Sequence, residues 1–260
     1  MAGNGGTPGR SVTSKVGAVL DAFTVETPEL TLNELASRAG LPLSTTYRLA
    51  CELVTWGGLE RRPGGGYRIG PRLWEVGTVA PLATKLHDVA RPFMRDLNEV
   101  THEGVALVVI DGFEALRLEE FPGPIAVSTN SARRPARLPL HATAAGKALL
   151  AFAPDEVVSR IVERGLRRYT ERTVVLPAQL MRSLAQIRST GVAIAREEMA
   201  AGSLSVASPV LDPRGSAAAA LSIAVSSRRS DLRLLALAVR TAAVSATREF
   251  CARNTPVPAA

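Results

Sequence analysis

The chain has 260 residues, 46% hydrophobic and 21% charged, a balance that excludes a disordered polyelectrolyte and leaves room for two globular domains with their own cores. Its net charge of +7 suits an anionic partner, yet residues 1–80 hold eight Lys/Arg against seven Asp/Glu and the rest 23 against 17, so bulk charge does not single out the N-terminal part. No run of about 18 uncharged apolar residues and no apolar signal core are present, so no membrane span or secretory leader is expected, and two distant cysteines, Cys51 and Cys251, fit a reducing cytoplasm rather than a disulfide framework.

Residues 1–11 read as a tail, and the first helix is predicted over Ser14–Phe23, with Val16, Val19, Leu20 and Phe23 on one side. Thr31 offers a helix N-cap and Glu34 stands at capping-box distance from it. Leu32, Leu35, Ala36 and Ala39 follow at helical spacing, Gly40 ends that helix, and Pro42 cannot continue it. Ser44 is a second N-cap candidate, and Thr46, Leu49, Ala50 and Leu53 form the next core-facing stripe. Leu59 and Arg61, then Tyr67 and Ile69, flank Pro63-Gly64-Gly65-Gly66, which predicts a β-hairpin with a glycine-rich tip.

Helix, turn, helix and hairpin in succession over residues 12–70 predict a winged helix-turn-helix, which lays its second helix in the major groove of double-stranded DNA. Arg48 is the first candidate on that helix, as a guanine or phosphate contact, with Ser44, Thr45, Thr46 and Tyr47 as phosphate and base-edge contacts. Thr31 is placed in the same set. Arg61, Arg62 and Arg68 on the wing are expected on phosphates, which position the protein without reading sequence.

Pro71 to about Thr84 reads as an amphipathic linker helix, and residues 71–86 as the linker between domains. Beyond it, residues 87–253 predict an α+β domain, an antiparallel sheet of about six strands with helices outside, before a tail over 254–260. Strands are expected at Gly104–Ile110, Ala115–Phe121, Ile125–Thr129, Val192–Glu197, Leu204–Leu211 and Ala217–Val225. Helices are expected at Leu86–Val100, Thr143–Phe152, Asp155–Arg164 with Pro154 at its first position, Ala178–Ser189 and Ser230–Cys251.

Five stretches carry a resemblance to a known family: LTLNELASRAGLPLSTTYRL, LERRPGGGYRIGPRLWEVG, RLPLHATAAGKALLAF, LAQIRSTGVAIAREE and GSLSVASPVLDPRGSAAAALSIAV. In order and spacing the chain resembles the IclR family of transcriptional regulators from about Val12 to Arg253. That resemblance implies a winged helix joined to a GAF/PAS-like effector-binding domain. It also implies homodimers, some paired as tetramers, on palindromic operators, acting as repressors or activators under control of a small organic molecule.

The small residues at His141-Ala142-Thr143-Ala144-Ala145-Gly146 suggest a ligand pocket against the sheet, where helix N–H groups favour a carboxylate. Close helix–sheet packing explains the same residues equally well, and the family's effector position tips the balance toward a pocket. His141, Ala144, Ala145 and Gly146 are therefore candidates, with Val105, Leu107, Ser205, Ala207, Ser222 and Ala224 expected on the facing strands and one of the adjacent Glu197 and Glu198, with Glu197 put forward, at the rim. Ala195, Ser205 and Ala224 depart from the family's frequent Asp, Cys and Ser or Gly, which implies a less polar pocket and an apolar, aromatic or carboxylic effector. A degenerate pocket, or a second domain that only dimerises, is the alternative; an open cavity with Ser205 and Ser222 on its wall favours the sensor.

Catalysis is not expected. His87, His102 and His141 lack metal-ligand spacing, and no GxSxG elbow, phosphate loop or dinucleotide fingerprint is present, so neither metal nor cofactor is expected.

Overall fold

A computed structural model describes residues 10–24, 27–79, 81–123, 136–228 and 231–254, and the chain divides into two compact units, Met1–Ala80 and Pro81–Ala260. The first unit holds α1 (Val12–Asp21), β1 (Glu29–Leu30), α2 (Leu32–Ala39), α3 (Leu43–Trp56), β2 (Leu59–Arg61), β3 (Tyr67–Ile69) and α4 (Pro71–Thr78). Val19, Leu35, Leu49, Leu59 and Tyr67 fill its core.

Local chemistry sets these helix ends. Ser11 accepts from the Ser14 amide and starts α1 ahead of the predicted Ser14. The predicted capping box of α2 forms: the Thr31 hydroxyl oxygen accepts from the Glu34 amide at 3.4 Å and the Glu34 carboxylate accepts from the Thr31 amide at 2.8 Å. Gly40, with φ +61°, closes α2 in the left-handed conformation that a side chain resists. Ser44 does not cap α3. Pro42 is the N-cap, because its ring already holds the φ an N-cap can adopt, and the helix begins two residues earlier than the hydroxyl suggests. On the wing β2 pairs antiparallel with β3, and the two-residue β1 adds a third strand beyond β3.

In the second unit β4 (Gly104–Asp111), β5 (Glu114–Phe121), β6 (Ala136–Pro139), β7 (Ala193–Arg196), β8 (Ser203–Leu211) and β9 (Ala217–Ser226) form one sheet. Its order is β6-β5-β4-β9-β8-β7, with every pair antiparallel. The strand expected over Ile125–Thr129 lies outside the described residues, and the edge beside β5 is β6. The helices are α5 (Pro81–Thr101), α6 (Ala144–Ala151), α7 (Asp155–Glu163), α8 (Pro177–Thr190) and α9 (Leu232–Asn254). The helix expected from Pro71 to Thr84 therefore falls in α4 and the start of α5, and Pro154 is the N-cap of α7 rather than its first residue. Among the described residues no helix is long and apolar enough to cross a membrane.

The sheet is buried on both faces. Against α5 and α9 it sets Val105, Leu107, Leu204, Val206, Leu221 and Ile223. Against α6, with α8 behind, it sets Val108, Ala193, Ala195, Ala207 and Ala220. Val105 and Leu107 thus point away from the side on which a pocket was expected. A strand covered on both sides lacks polar alternation, so nothing polar fixes its phase. Residue size fixes it instead: large side chains fill the α5/α9 core, and Gly104 and Ala106 leave room opposite.

Candidate functional site

On α3, Ser44, Tyr47 and Arg48 are exposed and Thr45 is half-buried. Among the described residues Arg48 has no ion-pair or hydrogen-bond partner, so its guanidinium is free for an external acceptor. Tyr47 bonds to Cys51, which raises its phenol above the ordinary 10.0. It is therefore a neutral hydroxyl at physiological pH, able both to donate and to accept. Thr46 does not share this face. It is fully buried and donates to the Pro42 carbonyl at 3.1 Å, because its place in the i, i+3, i+4, i+7 stripe turns it to the core. Thr31 is likewise committed, its hydroxyl donating to Glu34 at 2.8 Å within the cap.

The wing arginines differ from one another. Arg62 pairs with Glu29 at 3.1 Å and Arg68 with Glu60 at 2.5 Å, whereas Arg61 has no carboxylate partner among the described residues. Register explains the second pair, since Arg68 lies directly opposite Glu60; Glu29, opposite Arg68 on its other side, pairs instead with Arg62 beyond the end of β2. Such exposed pairs are worth about 0–1 kcal/mol, little enough for a phosphate to displace.

Between the sheet and the start of α6 lies a cavity of about 850 Å³, open solvent at its mouth included. Ala106, Val108, Leu138, Ala145, Ala195 and Met199 give it an apolar wall, with Ser205, Ser222 and Ala224 from β8 and β9. Thr143 caps α6, accepting from the Gly146 amide at 3.1 Å, and the Ala144 amide points to the Ser205 hydroxyl at 3.4 Å.

Several expected residues have other work. Gly146 is a packing residue, since a Cβ there would stand 2.2 Å from the Leu140 carbonyl oxygen. Ala144 and Ala207 are fully buried in the core behind the cavity. His141 lines a different cleft, where its Nε2 meets the Arg167 carbonyl at 2.9 Å. Glu197 turns outward with φ +55°, accepting from the Gly202 amide and the Ser227 hydroxyl and pairing with Arg172. These bonds hold its carboxyl below the ordinary 4.5. Glu198, not Glu197, reaches the cavity and pairs with Lys147 at 2.5 Å.

Of the wall residues that the sequence reading did not name, two are charged. Arg117, 6% exposed, and Glu120 both line the cavity from β5 and pair at 2.6 Å. Burial pushes the Glu120 carboxyl above the ordinary 4.5, and the Arg117 charge offsets this only in part. Ala195, Ser205 and Ala224 line the cavity, and β5 adds charge to a wall that is otherwise mostly apolar. Among the described residues no group of three His, Cys, Asp or Glu side chains is placed to hold a metal ion.

Two families match the chain, the IclR helix-turn-helix domain over residues 12–63 and the bacterial transcriptional regulator IclR C-terminal domain over 82–247. The transcriptional regulator BhcR of Paracoccus denitrificans is 34% identical over 240 residues, 89% of this chain and 83% of that protein. The transcriptional repressor IclR of Escherichia coli is 36% identical over 197 residues, 74% of this chain and 71% of its own. An IclR homologue from Microbacterium hydrocarbonoxydans, solved in complex with 4-hydroxybenzoate, superposes with a TM-score of 0.86 at 34% identity, covering 93% of this chain and all of that one.

Proposed function

The chain belongs to the IclR family of bacterial DNA-binding transcriptional regulators, a family of regulators rather than enzymes, and from that premise we propose that its operator occupancy is set by a small organic effector held in the cavity beneath α6. The carrying observation is that cavity: apolar over most of its wall, with Ser205, Ser222 and an ionic pair at defined points. Ligand sites combine these features, an apolar enclosure for affinity and a few polar groups for orientation. The relative solved with 4-hydroxybenzoate supports an effector with an apolar or aromatic body and a carboxylate.

The chain acts as a homodimer, or a pair of dimers, on a palindromic operator. Arg48 reads a base edge with Ser44, Thr45 and Tyr47 beside it, and Arg61 grips a phosphate, as do Arg62 and Arg68 once released from their carboxylates. Domain boundaries at residues 12–70 and 87–253 leave 71–86 to carry the signal. An effector shifts occupancy only through different affinity for the DNA-competent and DNA-incompetent arrangements.

The test is binding of the purified protein to its own upstream intergenic DNA and to random DNA, at two salt concentrations. Selective, salt-sensitive binding that a cavity ligand alters supports the proposal. Equal weak binding to both DNAs refutes a local operator, and selective binding that no cavity ligand alters refutes the sensor.

A further inference from the structure

The charged groups of the cavity are not equivalent. Lys147 does not line it, and its ammonium is already shared between Glu198 and the Ile194 carbonyl at 2.8 Å. At the start of α6 the Gly146 and Ala144 amides face Thr143 and Ser205. Arg117 remains as the positive side chain in the wall, held 2.6 Å from Glu120, with both facing the cavity. Besides these two, the titratable lining among the described residues is Glu198; β4, β6, β7, β8 and β9 contribute no ionisable side chain to the wall.

From this arrangement we infer that Arg117 anchors the carboxylate of the effector, that this carboxylate takes the place of Glu120 on the guanidinium, and that Glu120 takes up a proton as it does so. The inference rests on the sensor reading, which already gives the effector a carboxylate, and adds to it the residue that holds that carboxylate and the coupling of binding to pH.

The physical reason is charge balance in a confined space. Arg117 is too buried to carry its charge without a counter-ion. A monoanion entering beside it places two carboxylates on one guanidinium, and like charges at that separation favour protonation of one of them. Glu120 is the one that yields, because its own burial already disfavours its ionised form. The ion pair Arg117–Glu120 becomes the ion pair Arg117–effector, a solvent proton forms the O–H of Glu120, and the net charge of the site is unchanged. A neutral ligand gives neither exchange nor proton uptake.

The sign of the pH effect follows. Effector binding raises the pKa of Glu120, so between its free and bound values affinity falls as pH rises, by up to about tenfold per pH unit. Beyond both values it is flat.

The probes are benzoate, 4-hydroxybenzoate and phenylacetate, each beside its carboxamide, titrated calorimetrically into the full chain from about pH 5 to 8 in buffers of different ionisation enthalpy. The expected result is carboxylate binding with uptake approaching about one proton per site and carboxamide binding at least about tenfold weaker without uptake. Glu120→Gln should bind carboxylates at every pH with the affinity the natural chain reaches only at the low-pH end, and lose both the uptake and the pH slope. Arg117→Gln should lose the preference for carboxylate over carboxamide, and the Glu120 variant keeps the inference testable if that protein does not fold. Carboxylate binding without proton uptake at any pH, or a preference for carboxamides, overturns the anchor while leaving the sensor in place. Failure of every probe to bind overturns the aromatic-acid sensor reading and this inference with it.

Discussion

Arg117 and Glu120 stand three positions apart on β5 and yet face the same cavity, an arrangement a regular strand forbids. Opposite residues in the β4–β5 ladder share a face, and Val108 pairs with Arg117 while Ala106 pairs with Glu120. The register slips between Leu107 and Val108, so Leu118 is the extra residue of a bulge and the side-chain phase reverses across it. The same reversal sends Glu119 to the opposite face, where it meets His87 at 2.6 Å and Arg91 at 3.3 Å on α5. One inserted residue thus gives the cavity an ion pair and ties the sheet to α5.

Replacing Arg48 with Ala should cost about 1–3 kcal/mol of operator affinity if the guanidinium holds a base edge. The loss should fall on the operator and spare random DNA, which fluorescence anisotropy with both duplexes measures. Unchanged operator affinity removes Arg48 from the reading face.

Arg61→Ala should weaken binding to operator and random DNA alike and lower the slope of log K against log salt by about 0.9, the share of one phosphate contact. Arg62→Ala should do less, since Arg62 starts out paired with Glu29 and that pair must be given up on binding. Titrations over a range of salt concentrations separate the two, and a steeper loss for Arg62 than for Arg61 contradicts this ranking.

Much of this site was legible in the residues, and the parts that were not share a cause. Thr31 and Glu34 announced a capping box because capping is local chemistry, complete within four residues. Ser205, Ser222 and Ala224 were placed on one wall because small and polar residues alternate with large ones along β8 and β9. Val105 and Leu107 were misplaced because β4 is apolar on both faces, although the alternation of Gly104 and Ala106 with bulkier neighbours was a usable signal. Arg117 and Glu120 were invisible because a bulge is a property of two strands together, and β5 read alone has none. The two-residue β1 was missed for the same reason, having no periodicity of its own.

Gly146→Ala should destabilise the second unit by about 1–3 kcal/mol, the cost of forcing a methyl into a packed contact. The added Cβ meets the Leu140 backbone rather than a movable side chain, so α6 itself must shift. Lowered thermal stability with DNA affinity retained in the folded fraction is the expected pattern. Unaltered stability removes Gly146 as the residue that sets how closely α6 approaches the chain before it.

Glu197 should make the fold acid-sensitive. Its carboxyl, lowered by the bonds from Ser227 and Gly202, contributes stability that is fully present above the ordinary value of 4.5 and is lost as pH falls through its lower folded value. Glu197→Gln should therefore be less stable than the natural chain at neutral pH, and the gap should close as both are acidified below that point. Chemical denaturation at a series of pH values reads this directly. A gap that is constant with pH assigns the loss to poorer hydrogen bonding of the amide to Gly202 and Ser227 rather than to the charge.

The Lys147–Glu198 pair offers the sharpest contrast between a lost contact and an orphaned charge. Both side chains are nearly inaccessible, at 3% and 9%, and the ammonium stands 2.5 Å from the carboxylate. Removing one partner from such a pair typically costs about 3–5 kcal/mol, most of it the penalty of an uncompensated buried charge rather than the worth of the bond. Lys147→Met should accordingly be strongly destabilised, and the double variant with Glu198→Leu should recover most of the loss, since apolar replacement of a whole buried pair is often neutral. Urea unfolding of the two single variants and the double variant closes the cycle. If the double variant is as unstable as Lys147→Met alone, the stabilising partner of Lys147 is the Ile194 carbonyl and not Glu198.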